Sequence, residues 1–473
     1  MRRSFGSRSL DIPWVPVALV AIVGLFAFVS WFLGPDRALL LYTAICGAGL
    51  VFFIAYRYPK TTVVLSFIAG IMLDSSSWLT LKAQVGSIEL RFFDPLLLGM
   101  LMATGLKIFL NDRRIMHILT QSMSSLSLLL FWFIFTAVRS IPNYGFVGAF
   151  GEFRTYYQFF IITLYIASFF PTRQCQWQLF KLLLILTALL VPWGLFSIPF
   201  RPYFSFSTPG PNSRFISSYI NVALLWGIVG LYITDRQRLI NLKGPIFYTL
   251  ILTYGVFTLF NNHRSVWMAT VASIVLLLLL RRLSSRRQLQ VGVGLFIGII
   301  GLSIAPNSFN EEISTFIQER SSAFTDVEED GTASWRILLW QQAIKAIQEK
   351  PFLGVGLGRN FQLFDTQGQV ITTSPHNEYI TLAYHGGVTG LTIYLLFIGS
   401  LLLSLRKRLL KPTLPQERAI YFTTLAVVSV VSLYYIAYTT EFDFMTWFFI
   451  GLGVAALSNP PGHLSNPHTE GFS

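Results

Sequence analysis

A short polar stretch, Ser-Pro-His-Asn-Glu at residues 374–378, stands immediately before a long apolar segment. Ser374 followed by Pro375 is typical of a helix start, because the hydroxyl can cap free N–H groups and proline fits the first helical position. Glu378 in the first turn suits the helix dipole, and the same dipole disfavours a charged imidazole at His376. His376 is therefore either a neutral general base or an interfacial residue that merely caps the helix.

Arginines near the ends of predicted apolar segments form the second candidate group. Five of them fall on the same predicted side as the histidine: Arg139, Arg154, Arg201, Arg214 and Arg264. Each alone is typically a surface anchor, because an arginine at a membrane boundary extends its guanidinium to the headgroups. Arg264 stands in a very tight connection between two apolar segments, and Arg214 opens another segment. Two guanidiniums beside a neutral histidine can bind a diphosphate and deprotonate a hydroxyl.

Two further patterns favour ordinary loops. The glycines at 354, 356 and 358 in PFLGVGLGRNF lack the lysine of a phosphate-binding loop and the strand and helix that surround one. They predict a flexible turn rather than a nucleotide site. The acidic stretch DVEEDG at 326–331 has the oxygen ligands that a divalent cation needs, but such stretches are more commonly solvated loops. We therefore predict no metal site.

Composition places the chain in a membrane. Of its 473 residues, 53% are hydrophobic and 12% charged, with a mean hydropathy of +0.59, whereas a soluble protein carries about twice that charge. Repeated apolar runs of about twenty residues predict membrane-spanning helices. The first run, 12–33, lacks a clear small-residue cleavage site and predicts a retained helix rather than a signal peptide. The two cysteines predict neither a disulfide framework nor a metal site.

The predicted fold is all-α, a polytopic transmembrane helical bundle of about 12–14 spans with a large outer loop that contains an amphipathic helix. Candidate spans lie at 12–33, 37–56, 61–79, 92–110, 122–138, 155–170, 178–199, 215–233, 245–261, 265–280, 291–305, 377–403, 419–437 and 441–457. The predicted regions are an N-terminal bundle at 1–200, helices with the arginine site at 201–305, the outer loop at 306–375, C-terminal helices at 376–457 and a short tail at 458–473.

Charge sets the predicted orientation. With the N-terminus inside, 22 of the 35 basic residues fall on the inner side, against five of the 22 acidic residues. The positive-inside rule therefore predicts that both termini are cytoplasmic. The positive charge lies in short loops between spans rather than on one face, which argues against a nucleic-acid partner despite the pI of about 9.8.

The outer loop at 306–375 is long for a compact membrane protein, and such insertions are usually functional or disordered. Within it, SWRILLWQQAIKAIQEK places Ile337, Trp340, Ile344 and Ile347 at helical spacing after a plausible Ser334 cap. This pattern predicts an amphipathic helix that lies on the membrane or against the bundle.

Three stretches, taken in order, resemble the O-antigen ligase and polymerase superfamily of bacterial membrane glycosyltransferases. They are HRSVWMATVASIVLLLLL from His263, SWRILLWQQAIKAIQEKPFLGVGLGRNF from Ser334 and HNEYITLAYHGGVTGLTIYLL from His376. The resemblance covers the chain from Arg214 to about Leu403. It implies an inner-membrane enzyme that transfers a glycan from undecaprenyl diphosphate to an acceptor hydroxyl on the periplasmic side, without a metal, nucleotide or other cofactor.

The resemblance also implies roles for individual residues. Arg214 and Arg264 correspond to diphosphate-binding arginines, and His376 corresponds to the histidine that activates the acceptor. Arg336 corresponds to a loop arginine with a structural or substrate-positioning role. Further predicted substrate-binding residues are Asn377, Glu378 and Arg154. The chain departs from the family pattern at two places: His385 stands where the family often has glutamate, and FISSYIN follows the first arginine.

Several functions remain open from the sequence. A ligase would join the glycan to a lipid A core or a protein, whereas a polymerase of the same superfamily would join it to another repeat unit. A solute transporter, for example for bicarbonate, should have a midplane site with broken helices or paired repeats. The charged residues lie at the outer boundary and no internal repeat is evident, which favours the enzyme. A structural scaffold would leave the histidine and arginine motifs unexplained.

Overall fold

Apolar helices dominate the protein in a computed structural model that describes residues 35–69, 82–85, 88–91, 93–110, 116–118, 124–204, 331–358, 363–364, 370–372, 375–411, 413–436 and 444–459. The helices are α1 at Pro35–Arg57, α2 at Pro59–Phe67, α3 at Asp94–Phe109, α4 at Ser124–Phe169, α5 at Arg173–Phe204, α6 at Gly331–Glu349, α7 at Glu378–Leu409, α8 at Pro415–Tyr434 and α9 at Phe444–Leu457. The predicted all-α membrane fold is confirmed. The predicted spans at 12–33, 215–233, 245–261, 265–280 and 291–305 lie outside the described residues.

Two short antiparallel ribbons accompany the helices. Strand β1 at Lys82–Val85 pairs with β2 at Ile88–Arg91, and β3 at Leu363–Phe364 pairs with β4 at Val370–Thr372. The sequence did not predict them, because strands of four residues or fewer show too little alternation to distinguish them from loops.

Three helices in the described part of the chain are long and apolar enough to cross a membrane: Ser124–Ala149, Glu378–Leu409 and Pro415–Tyr434. Shorter apolar helices occupy Cys46–Arg57, Tyr156–Phe169 and Thr446–Leu457. A span needs about twenty residues, so the total of 12–14 spans stays a prediction.

Two of the helices bend at glycines that have left-handed backbone. Helix α4 bends at Gly145, with φ 71° and ψ 167°, and α7 bends at Gly387, with φ 68° and ψ −177°. The chain reverses direction at the break in α4, as expected between the predicted spans 122–138 and 155–170, because Phe133 and Tyr156 on its two sides stack with ring centroids 4.2 Å apart. Pro142 and Gly145 break the helix there, because proline removes a helix donor and glycine tolerates positive φ.

Helix α4 is the central element, since it packs against α3, α7 and α9. Aromatic rings pack its two halves on each other and on α9. Phe133 stacks on Tyr156 with the ring centroids 4.2 Å apart, and Phe159 stacks on Trp447 of α9 at 4.3 Å. Such pairs are worth about 0.5–1.5 kcal/mol beyond their burial.

A buried polar network closes one end of the bundle. The Gln176 amide nitrogen donates to the carbonyls of Phe170 at 3.1 Å and Ala455 at 3.0 Å, and its oxygen accepts from Asn459 Nδ2 at 2.9 Å. Arg408 Nη2 also donates to the Asn459 carbonyl, at 3.1 Å. This polar network joins the C-terminal ends of α7 and α9 to the turn between α4 and α5.

Basic residues from predicted inner loops lie at this same end. Arg173 Nε pairs with Glu417 at 2.6 Å, and the glutamate is buried at the start of α8. Lys107 Nζ, near the end of α3, donates to the Ser168 carbonyl at 2.8 Å and stands 4.1 Å from the centre of the Phe169 ring. The structure thus brings together helix ends that the charge pattern assigned to one side, as antiparallel helices require.

Replacement of the central glutamine should loosen this end of the bundle. Gln176→Leu leaves the Asn459 amide and the Ala455 carbonyl without the partner they now have, at a cost of about 1–3 kcal/mol. Thermal unfolding in detergent measures this loss as a lower Tm. Gln178→Leu is the matched control, because Gln178 is half-buried and only accepts from Lys60. Equal Tm values for the two variants would contradict the role of the network.

Candidate functional site

The stretch from Pro375 to Glu378 lies at the end of the bundle opposite the polar network. The amide of Glu378 donates to the carbonyl of Tyr435 at 3.0 Å, directly after the last residue of α8. Helix α8 begins beside Arg173 at the network end, and its 20 residues extend about 30 Å. The predicted catalytic histidine is therefore far from the network.

Helix α7 begins at Glu378, so the predicted start at the Ser-Pro pair is wrong. Asn377 is the N-cap, and its Oδ1 accepts from the Ile380 amide at 3.1 Å, which satisfies one of the free N–H groups of the first turn. The helix cannot start earlier because His376 has φ 49°, outside the helical region.

His376 occupies an uncommon backbone conformation at the entry to α7. A left-handed non-glycine residue costs about 1–3 kcal/mol and persists only where neighbouring contacts enforce it. Those contacts are present on both sides, because Trp340 Nε1 donates to the Pro375 carbonyl at 3.0 Å and Asn377 caps the helix. The half-buried imidazole is thus held at the positive end of the helix dipole.

Two of the predicted substrate-binding residues are enclosed by the fold. Asn377 is 7% exposed and its side-chain oxygen serves as the cap, while Glu378 is 2% exposed in the first turn of α7. Asn377 therefore has a structural role that the sequence did not indicate.

The predicted amphipathic helix of the outer loop is present as α6, and it packs against α7. Leu339 and Ala343 of α6 form a buried cluster with Val355 and Tyr384, and Trp340 packs at its edge. Together with the bond from Trp340 to the Pro375 carbonyl, this cluster attaches the loop helix to the histidine segment.

Helix α6 begins at Gly331, so Ser334 lies in its first turn and the predicted cap is wrong. Nothing between Gly331 and Ser334 breaks a helix, since no proline intervenes. Arg336 lies near this end of α6 and is half-buried.

The segment Pro351–Gly358, here called the glycine turn, packs against the break in α7. The amides of Val355 and Gly356 donate to the carbonyls of Tyr384 at 2.8 Å and His385 at 3.1 Å. In return, the Val388 amide donates to the Pro351 carbonyl at 2.8 Å. The predicted turn after α6 is present. The prediction that it is flexible is wrong, because these hydrogen bonds hold it against α7.

The glycines of the turn are required by conformation and by space. Gly354, Gly356 and Gly358 have φ values of 65°, 99° and 99°, which side chains rarely adopt. A Cβ on Gly358 would lie 2.8 Å from the Cβ of Tyr144, and one on Gly387 would lie against the Phe352 carbonyl oxygen. The glycines thus serve close backbone packing rather than phosphate binding.

Helix α4 holds the other side of the glycine turn. Ser140 Oγ accepts from the Leu357 amide at 2.8 Å, and Tyr144 Oη donates to the Val355 carbonyl at 3.3 Å. Arg139 Nη2 donates to the Leu353 carbonyl at 2.6 Å. The sequence did not indicate these partners, because the predicted span ended at residue 138, although serine and tyrosine four residues apart share one face of a helix.

His385 links the turn to the helix through its side chain as well. Its Nδ1 lies 2.9 Å from the Gly356 carbonyl oxygen, and the residue is only 7% exposed. The Tyr384 ring meets its imidazole edge-on, with ring centroids 5.1 Å apart. This histidine is therefore part of the packing between the turn and α7.

The remaining predicted site residues are not placed by the structure. Arg214 and Arg264 lie outside the described residues, as does most of the acidic stretch at 326–331, and the Arg154 side chain is likewise outside them although its backbone belongs to α4. Among the described residues, no group of three His, Cys, Asp or Glu side chains has the arrangement of a metal site.

The second half of the chain is similar to a known protein family. Residues 249–395 match the O-antigen ligase family. The matched segment includes Arg264, Arg336 and His376 together with the glycine turn, whereas Arg214 and Arg154 precede it. No curated protein matches the chain.

Addition of a methyl group at the break of α7 should disrupt the contact with the glycine turn. Gly387→Ala combines an unfavourable positive φ with a clash against the Phe352 carbonyl, so we expect a loss of at least about 1–3 kcal/mol. Gly399→Ala is the matched control in the same helix, because a Cβ there meets nothing within 4 Å. Thermal unfolding in detergent compares the two, and a Gly387→Ala protein as stable as the control would refute the close packing.

Proposed function

We propose that the chain is a glycosyltransferase-like ligase of surface polysaccharide biosynthesis in the bacterial inner membrane, a proposal supported by the match of residues 249–395 to the O-antigen ligase family. The chain transfers a glycan from undecaprenyl diphosphate to an acceptor hydroxyl on the periplasmic side. The observation that supports this most directly is the held, left-handed conformation of His376 at the start of α7.

His376 acts as the general base in this proposal. The positive end of the helix dipole favours the neutral imidazole, which can accept the proton of the acceptor hydroxyl. Strained residues held by their surroundings cluster at functional sites, so the φ of 49° supports this role. The acceptor oxygen attacks the anomeric carbon as its proton passes to the imidazole.

Arg214 and Arg264 bind the diphosphate of the donor. As the bond between the anomeric carbon and the diphosphate oxygen breaks, negative charge builds on the leaving group, and two guanidiniums can neutralise it without a metal. A single in-line displacement inverts the anomeric configuration. Arg154 lies on α4 and Arg336 on α6, and both are proposed to position the substrates, whereas the enclosed Asn377 and Glu378 would act on them only by shaping the entry to α7.

Helix α6 limits the access of water in this proposal. It is attached to the histidine segment by the Trp340 bond to Pro375 and by the buried cluster around Leu339. A helix at that place can shield the donor from hydrolysis while the acceptor binds.

Transport is the second candidate, and the broken helices α4 and α7 are the feature that favours it, because transporters bind solutes at such breaks. The break at Gly387, however, is occupied by backbone of the glycine turn. The carbonyls of Tyr384 and His385 that would coordinate an ion already accept from Val355 and Gly356. The enzyme is therefore the better supported function.

Removal of the proposed base should abolish most of the transfer without affecting folding. His376→Ala is expected to lower the transfer rate about 10²–10⁴-fold, the usual contribution of a general base. The assay follows a new glycoconjugate formed by purified protein in liposomes from a lipid-linked glycan pool. His117→Ala, at an exposed histidine, is the control. Products that lengthen into a ladder indicate the polymerase, and equal rates for the two variants would exclude His376 as the base.

Substitutions at Arg264 separate charge from geometry. Arg264→Ala should weaken donor binding, and Arg264→Lys should restore it only in part, because lysine keeps the charge but loses the planar fork that binds two phosphate oxygens. Binding of a labelled polyprenyl diphosphate to the purified variants measures this. A lysine variant with the parent's affinity would show that the diphosphate is not bound in a bidentate manner.

A further inference from the structure

We propose that His385 is a positioning residue for the transfer reaction. It fixes the first segment of α7 and thereby the location of His376. This inference rests on the proposed role of His376 as the base. His385 does not itself touch a reacting atom in this proposal. It acts through the backbone of the glycine turn.

The hydrogen bonds between His385 and Gly356 run in both directions. The Gly356 amide donates to the His385 carbonyl at 3.1 Å, and the His385 ring nitrogen Nδ1 lies 2.9 Å from the Gly356 carbonyl oxygen. A carbonyl can only accept, so Nδ1 carries the proton in this bond. One residue of α7 thus holds both backbone polar groups of one residue of the turn.

The backbone of Gly356 is held in place by its own conformation and by the contact with Ser140. Its φ is 99°, and Ser140 Oγ of α4 occupies the place where a Cβ would be. Ser140 Oγ also accepts from the amide of Leu357, the residue directly after Gly356, at 2.8 Å. The turn is therefore hydrogen-bonded to both α4 and α7. Through its bond to the turn, the His385 side chain is connected to α4, the central helix of the bundle.

The first segment of α7 depends on this attachment. Because Gly387 interrupts the helix, residues 378–386 cannot rely on a continuous hydrogen-bond ladder for their orientation. Their C-terminal end is held by the bonds of Tyr384 and His385 to the turn, and Asn377 alone separates their N-terminal end from His376. These nine residues extend about 13 Å, so a small rotation at His385 displaces the entry to the helix.

Two substitutions of similar size separate the hydrogen bond from the packing. In His385→Asn the amide nitrogen takes the place of Nδ1 and can donate to Gly356, whereas His385→Leu fills the space without a donor. We expect the leucine variant to lower kcat about 100-fold, as a displacement of about 1 Å at a reacting group can. The KM for the lipid-linked donor should change by less than about threefold, and the asparagine variant should keep kcat within about fivefold of the parent.

A third variant keeps the test decisive if the His385→Leu protein folds poorly. His385→Gln places its amide at the position of Nε2 rather than Nδ1, so it should lose activity as the leucine variant does while it remains polar. His117→Leu is the control for a general histidine-to-leucine effect at an exposed site. If asparagine and glutamine give equal rates, the directed bond from Nδ1 has no positioning role and the proposal is overturned.

Hydrogen exchange of the peptide 351–358 provides a readout that does not depend on activity. The amides of Val355 and Gly356 should exchange faster in His385→Leu than in His385→Asn. If exchange differs in this way but His376→Ala remains fully active, the attachment is correct and the proposed base is wrong. If exchange is the same in the two variants, or if His385→Asn is inactive while the turn stays protected, the positioning role is overturned.

Discussion

The interruption of α7 at Gly387 imposes the main constraint on this end of the protein. Inside a membrane every backbone N–H and C=O must find a partner in the protein, and a broken helix leaves several without one. The glycine turn supplies them: two of its amides bind the carbonyls of Tyr384 and His385, and its Pro351 carbonyl accepts from Val388. Bulky residues would prevent this approach, so the glycines of the turn and of the break are required together.

The same contact organises the candidate site. The turn is held on its far side by Arg139 and Ser140 of α4, while α6 packs on Tyr384 and binds the Pro375 carbonyl through Trp340. Helix α6, the central helix α4 and the short first segment of α7 therefore form one unit around the entry that contains His376. Electrostatics follows from this geometry, because a rigid entry keeps the imidazole at the positive end of the helix dipole.

Hydrophobic patterning was sufficient to predict the helical membrane fold and the approximate limits of α7 and α8, since long apolar runs depend on local sequence alone. The position of the histidine at a helix entry was predicted for the same reason, although the cap was misplaced because serine and asparagine have the same capping chemistry. The packing of the turn was not predictable in this way. Leu357 and Ser140 are 217 residues apart in the chain, and nothing local indicates that they meet. The predicted span at 122–138 also ended before Ser140 and Tyr144, so the sequence did not identify these α4 partners of the turn.

The pH dependence of single-turnover transfer, with the donor already bound, tests most directly whether His376 is the base held by this unit. We expect the rate to fall as the pH is lowered through the range in which histidine becomes protonated, because a protonated ring cannot accept the acceptor's proton. In His376→Gln the residual rate should be low and should lack this fall. A glutamine variant that retained the same pH dependence would show that another group is the base and would contradict the proposed mechanism.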